Sequence, residues 1–146
     1  MSLKIIKGNI FDSSCSVLVN PTNCIGPMGA GLAKQFKEKF PGLAENYWNY
    51  CRKGMIKPGI LHLYAVNSYL RILNFPTKNN WRDPSKIEYI ELGLNKFIDS
   101  YFNKDINSIA FPLLGAGLGS LDKKFIQNYM IEKLTPLEGI DIEIYI

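Results

Sequence analysis

Short runs rich in β-branched residues alternate with helix-patterned segments along this chain, and that alternation limits the fold more than any single motif does. The runs "LKIIKG", "SVLVN", "ILHLYAV", "LRILNF", "SIAFPLL" and "IDIEIYI" are each bounded by turn formers and read as strands. Between them, Ala30–Phe40 sets Leu32, Phe36 and Phe40 one helical turn apart among Lys and Glu, and Pro41 and Gly42 stop that helix. "LAENYWNYCRK" predicts a second helix closed by Gly54. "PSKIEYIELGLNKFIDSYF" predicts the longest, with Ser85 as N-cap, Glu88 behind it, and Ile87, Ile90, Leu94, Phe97 and Ile98 as its buried stripe. A last helix is expected over Lys123–Leu134. "ILHLYAV" and "LRILNF" are joined by a turn at Asn67 and Ser68, too short for a parallel crossover. The expectation is therefore an α/β fold, a three-layer α/β/α sandwich around a mixed sheet of about six strands.

Composition narrows the class of molecule. A chain of 146 residues, 47% hydrophobic and 21% charged, suits one domain over residues 1–146 with a real core. No apolar run is long enough to span a bilayer, and "MSLKIIKGNIF" is too short and too interrupted for a signal peptide, so a cytoplasmic monomer is expected. Cys15, Cys24 and Cys51 are widely and unequally spaced, fitting reduced thiols rather than disulfides or a zinc site; no metal and no cofactor are expected. The net charge of +4 is weak support for an anionic ligand. His62 falls in an alternating strand pattern with no partner acid or serine elbow near it, and reads as a packed or surface residue.

Ligands of open α/β sheets bind where loops leave the carboxyl ends of strands. Two such loops here are glycine-rich: "VNPTNCIGPMGAG" with Gly26, Gly29 and Gly31, and "PLLGAGLGSLD" with Gly115, Gly117 and Gly119. Each opens a helix, so closely approaching backbone N–H groups and a positive helix end suit a diphosphate held between the loops. Neither loop ends in Gly-Lys-Ser/Thr, and Ser120 replaces the third glycine of a dinucleotide fingerprint, which sets aside P-loop and Rossmann readings. A third stretch, "LNFPTKNNW", runs an apolar strand into a loop holding Pro76, Thr77 and Lys78.

"KIIKGNIFDSSCSVLVNPTNCIGPMGAGLAKQFKEKFP", "NFPTKNNWRDPSKIEYIELGL" and "FPLLGAGLGSLD", in that order and spanning nearly the whole chain, resemble the macrodomains, an ADP-ribose-binding α/β/α family. The similarity leans to the branch of DarG-type DNA ADP-ribosyl glycohydrolases and terminal ADP-ribose protein glycohydrolases, marked by a lysine where Lys78 stands. The resemblance implies Asn9 and Ile10 at adenine, Asn20 and Asn23 near the distal ribose, Gly29, Ala30, Gly31 and Leu32 along the diphosphate, and Gly115, Ala116, Gly117, Leu118 and Gly119 opposite, with Thr77 at the same pocket; Trp81 either covers the pocket or caps the core. It implies Lys78 as the catalytic group, attacking the anomeric carbon as an amine or assisting departure as a cation. Two positions depart from the family pattern: Asn9 stands where an aspartate is usual, and Gly119 where protein-directed members carry a catalytic aspartate, leaving Asp122 as the nearest acid and a candidate proton carrier. The implied activity is removal of mono-ADP-ribose from ADP-ribosylated DNA or ADP-ribosylated protein. The alternatives are a non-catalytic ADP-ribose reader and a hydrolase of small derivatives such as the 1''-phosphate or O-acetyl ester.

Overall fold

In the computed structural model, which describes residues 2–146, a six-stranded sheet carries helices on both faces. The strands are β1 (Leu3–Ile6), β2 (Val17–Asn23), β3 (His62–Ala65), β4 (Arg71–Lys78), β5 (Ser108–Pro112) and β6 (Asp141–Tyr145). The helices are α1 (Gly31–Lys39), α2 (Leu43–Arg52), α3 (Ile87–Ser100) and α4 (Lys123–Leu134). Spatial order is β1-β6-β5-β2-β4-β3; only β3 runs antiparallel, joined to β4 by the short turn that the sequence requires. The chain thus has the expected mixed α/β/α architecture.

Alternation along each strand divides the core. Val19, Leu73, Phe75, Ile109 and Phe111 meet Ile90, Leu94 and Phe97 of α3 and Ile126 and Met130 of α4 on one face. Leu18, Ile72 and Ala110 meet Phe36 of α1 and Leu43 and Tyr47 of α2 on the other. The stripe expected on α3 is present, with Ile90, Leu94 and Phe97 buried and Ile87 and Ile98 packed against them. Gly93 completes it, because a Cβ there would enter the ring of Phe75.

Three details differ from the sequence reading. β4 does not give way to a loop after Phe75; it continues through Pro76, Thr77 and Lys78, and β2 likewise continues through Pro21 to Asn23. Prolines are tolerated there because β3 stops opposite Asn74 and β5 pairs β2 only at Val17 and Leu18, so each strand is bonded on one side at those points. Ser85 is not the cap of α3: Lys86 holds that position, and the Ser85 side chain turns inward instead.

Candidate active site

The helix following β2 lies on one face of the sheet and the helix following β5 on the other, yet β2 and β5 are neighbours. Their ladder ends after Leu18 and Ala110, so the strands part towards their carboxyl ends. This is a topological switch point, where a crevice must open. Both glycine loops leave from its lips.

The first loop is shaped by its own asparagine. Asn23 Oδ1 accepts from the N–H groups of Ile25 (3.0 Å) and Gly26 (2.7 Å), and Asn23 Nδ2 donates to the Pro27 carbonyl (2.9 Å). Tyr47 of α2 pins the strand end, donating to the Asn23 carbonyl (2.7 Å) and pairing with Thr22 Oγ1 (2.9 Å). Gly26, at φ 119°, passes over Trp48 where a side chain would collide with the indole. The loop ends at Ala30, which caps α1 without a side-chain hydrogen bond. The N–H groups of Gly29, Ala30, Gly31 and Leu32 consequently have no acceptor among the described residues, and they stand at the positive end of a helix dipole.

The second loop is folded by Leu121 N–H to the Gly115 carbonyl (2.9 Å) and Ser120 N–H to the Gly117 carbonyl (3.2 Å). Gly115 and Ser120 adopt positive φ, 74° and 69°. The N–H groups of Gly117 and Leu118 are also without acceptors among the described residues. The exposed Leu118 reaches Gly31, whose missing Cβ would lie 2.9 Å from Leu118 Cδ1, so the two loops touch above the crevice. Nothing lies within 4 Å of where a Cβ would stand on Gly29 or Gly117, so each has open space beside it.

At one end of the groove a cleft of about 360 Å³ is lined by Gly8, Asn9, Ile10, Leu32, Gln35, Pro112 and Tyr145. Asn9 Oδ1 already accepts from Phe11 N–H (2.9 Å), forming the cap of a single 3₁₀ turn, Ile10–Asp12. Gln35, Pro112 and Tyr145 were not legible as site residues, although Gln35 is a polar position one turn beyond the glycine loop and Tyr145 ends a strand. Tyr145 is held from below: its hydroxyl donates to Glu143 Oε1 (2.8 Å), which also accepts from Ser13 Oγ (2.6 Å). Burial acts to raise the pKa of Glu143, but the hydrogen bonds from Ser13 and Tyr145 outweigh it and hold the carboxyl below its usual range.

Lys78 lies at the other end. Asn23 pairs with Lys78 while Thr22 pairs with Pro76, so Thr77 is the extra residue of a bulge. Bulges bend the strand that carries them and re-aim its side chains. Thr77 is buried, and Lys78 is half-buried at the strand end with its Nζ 3.5 Å from the Trp81 carbonyl oxygen, a long and weak contact. The residues after it form a bridge between the loops. Cys24 N–H donates to the Asn79 carbonyl (3.1 Å), Asn80 Oδ1 accepts from Arg82 N–H (3.1 Å), and Ser85 N–H donates to the Gly119 carbonyl (3.0 Å).

Other expected site residues occupy supporting positions. Asn20 is wholly buried: its Nδ2 donates to Asn74 Oδ1 (3.0 Å), and Asn74 Nδ2 faces His62 Nδ1 (3.1 Å), a polar row across β2, β4 and β3. Asn20 Nδ2 also lies 3.7 Å from Met28 Sδ in the first loop, and its buried Oδ1 has no hydrogen-bond partner among the described residues. His62 is packed, as expected, between the rings of Tyr47 and Tyr50, and burial lowers its pKa. Gly119 is buried beneath the second loop, directly against the side chain of Ser85. Asp122 caps α4, with Oδ2 accepting from Phe125 N–H (2.9 Å). The thiols of Cys24 and Cys51 are pushed up to about 11 by burial, so both are protonated near neutral pH and poor nucleophiles.

Comparison with known proteins accords with this geometry. A family model described as Macro domain matches residues 19–130. The structure of the macrodomain of Mycobacterium tuberculosis DarG superimposes with a TM-score of 0.94 at 33% identity, covering 99% of this chain and 97% of that one. Thermosipho africanus DarTG in complex with ADP-ribose gives a TM-score of 0.91 at 34% identity over 98% of this chain and 41% of that one. A curated DNA ADP-ribosyl glycohydrolase of Thermus aquaticus is 36% identical over 98% of this chain, which spans 41% of that relative's length. Since the family model covers most of the chain and the similarity of sequence and fold runs from end to end, this chain belongs to the macrodomain family.

Proposed function

We propose that the chain binds ADP-ribose along the crevice and hydrolyses the bond joining the distal ribose to a DNA base, with Lys78 as the catalytic residue. The observation that carries the reading is the combination of unpartnered N–H groups on two facing loops with a half-buried lysine at the end of β4, the strand that flanks β2. The free N–H groups of Gly29–Leu32 and Gly117–Leu118 suit a diphosphate. The cleft at Ile10, Leu32 and Tyr145 offers an adenine flat apolar walls, with Asn9 at its rim, and Lys78 is left at the distal ribose. The relatives' names, DNA ADP-ribosyl glycohydrolase and DarTG in complex with ADP-ribose, support substrate and ligand.

In the proposed step the Lys78 amine attacks the anomeric carbon; the C–Nζ bond forms as the bond to the base breaks, and a proton passes from the amine to the departing base. Water then hydrolyses the lysine adduct, releasing ADP-ribose and restoring the amine. The alternative role, a cation beside the leaving atom, needs no adduct. Asp122 already serves α4, so it is assigned no step. A second reading, an ADP-ribose reader without turnover, is favoured by one observation: position 119 has no room for the acid that protein-directed relatives carry.

The test is a release assay offering ADP-ribosylated DNA and glutamate-linked ADP-ribosyl protein side by side. Release from DNA, lost in Lys78→Ala while ADP-ribose affinity is kept, is the expected result. Borohydride reduction during turnover followed by intact-mass analysis reports an adduct on Lys78 if the amine attacks. Partial activity of Lys78→Arg without an adduct assigns the cationic role. Binding without release from either substrate gives the reader, and full activity of Lys78→Ala removes the lysine from the mechanism.

A further inference from the structure

The bridge between the glycine loops leaves a tryptophan half exposed. Trp81 is 51% exposed, and the Arg82 guanidinium carbon lies 5.0 Å from its ring centroid. The segment is fixed at three points, Asn79 to Cys24, the Asn80 turn, and Ser85 to Gly119, so the indole is presented by a braced loop. An indole left half in water on a braced loop forgoes part of its burial. Arg82 and Lys86 are both exposed here, and Lys86 Nζ lies 5.8 Å from the ring of Tyr89. Trp81 is also tied to the lysine, through its carbonyl 3.5 Å from Lys78 Nζ.

We infer that Trp81 and Arg82 form a stacking platform for the nucleotide next to the modified base. The inference rests on the proposed reading of Lys78. A base whose ribose linkage must reach Lys78 cannot remain stacked in a duplex. Its neighbour in a single strand has a free π-face, and an aromatic side chain with a flanking guanidinium is the arrangement that takes such a face without reading sequence. The cations alongside meet the phosphates, which gives the interaction a salt dependence.

The experiment compares kcat/KM for an ADP-ribosylated single-stranded oligonucleotide with that for the same modified nucleoside without flanks. The wild type favours the oligonucleotide by roughly tenfold or more. Trp81→Ala brings the ratio close to one, chiefly through KM, Trp81→Phe restores most of it, and Arg82→Ala lowers it less while flattening the salt dependence. A second arm uses an unmodified oligonucleotide and Trp48→Phe protein, in which Trp81 is the remaining tryptophan: its fluorescence is quenched by single-stranded and not by duplex DNA. This arm reports on the platform even if no substrate is turned over, which separates its failure from failure of the proposed activity. An unchanged ratio in Trp81→Ala, equal quenching by duplex, or preference for the ADP-ribosyl protein overturns the inference.

Discussion

Gly119→Ala tests whether the second loop is held by packing against Ser85. A Cβ at position 119 would fall inside van der Waals contact of Ser85 Oγ and of the Gly115 carbonyl oxygen, and 2.8 Å from Ser85 Cβ. Rotating the serine relieves only the first contact, because the other two involve backbone and a Cβ. Forcing a methyl group into a packed site costs about 1–3 kcal/mol. Replacing glycine returns about 0.4–1 kcal/mol through the unfolded chain, and position 119 has no positive φ to strain. The net loss is about 1–2 kcal/mol, or roughly 2–8 °C in Tm for a chain of this size. The loop must shift to accommodate the methyl, so ADP-ribose affinity falls too. Calorimetric melting and titration of Gly119→Ala, Ser85→Gly and the double variant check this. The Ser85→Gly change removes the two contacts with Ser85 and leaves that with the Gly115 carbonyl, so it recovers part of the loss in a non-additive cycle. A Gly119→Ala protein that melts at or above the wild-type temperature with unchanged affinity would refute the packing argument.

Gly117→Val behaves oppositely: open space around the glycine leaves Tm within about 1–2 °C, since surface changes are worth about 0.5 kcal/mol, while ADP-ribose binding is lost to the filled groove; calorimetry reads both. Asp122→Ala removes the α4 cap and costs about 1 kcal/mol, seen as a lower Tm, with release from ADP-ribosylated DNA unchanged; slowed release at constant Tm would return the carboxylate to the mechanism. His62, its pKa lowered by burial, resists protonation in the folded state, so the unfolded chain binds more protons once pH falls below about 6.5. Its contribution to stability is full above that value and is lost towards acid. His62→Phe makes the Tm less sensitive to pH between about 7 and 5, and an identical profile in the two proteins would contradict this.

Much of the framework is local and therefore readable in the sequence. The period of apolar residues named the stripe of α3, and glycine density marked both loops, because helix pattern and turn chemistry depend on neighbours within a few positions. The short Asn67–Ser68 turn required an antiparallel pair in the sheet. Family resemblance singled out Lys78 from the other lysines, which residue pattern alone could not do. Tertiary structure decided the rest, since it depends on contacts between residues far apart in the chain. That β2 and β5 part at a switch point follows from strand order, which no local pattern encodes. The bulge at Thr77 exists only in the pairing with Thr22 and Asn23. Ser85 has every local mark of a helix cap but is drawn inward to fill the space left by Gly119. Asn20 has the look of a ligand contact, and only the tertiary structure shows that its Nδ2 is taken by Asn74 across the sheet while its buried Oδ1 is left without a partner among the described residues.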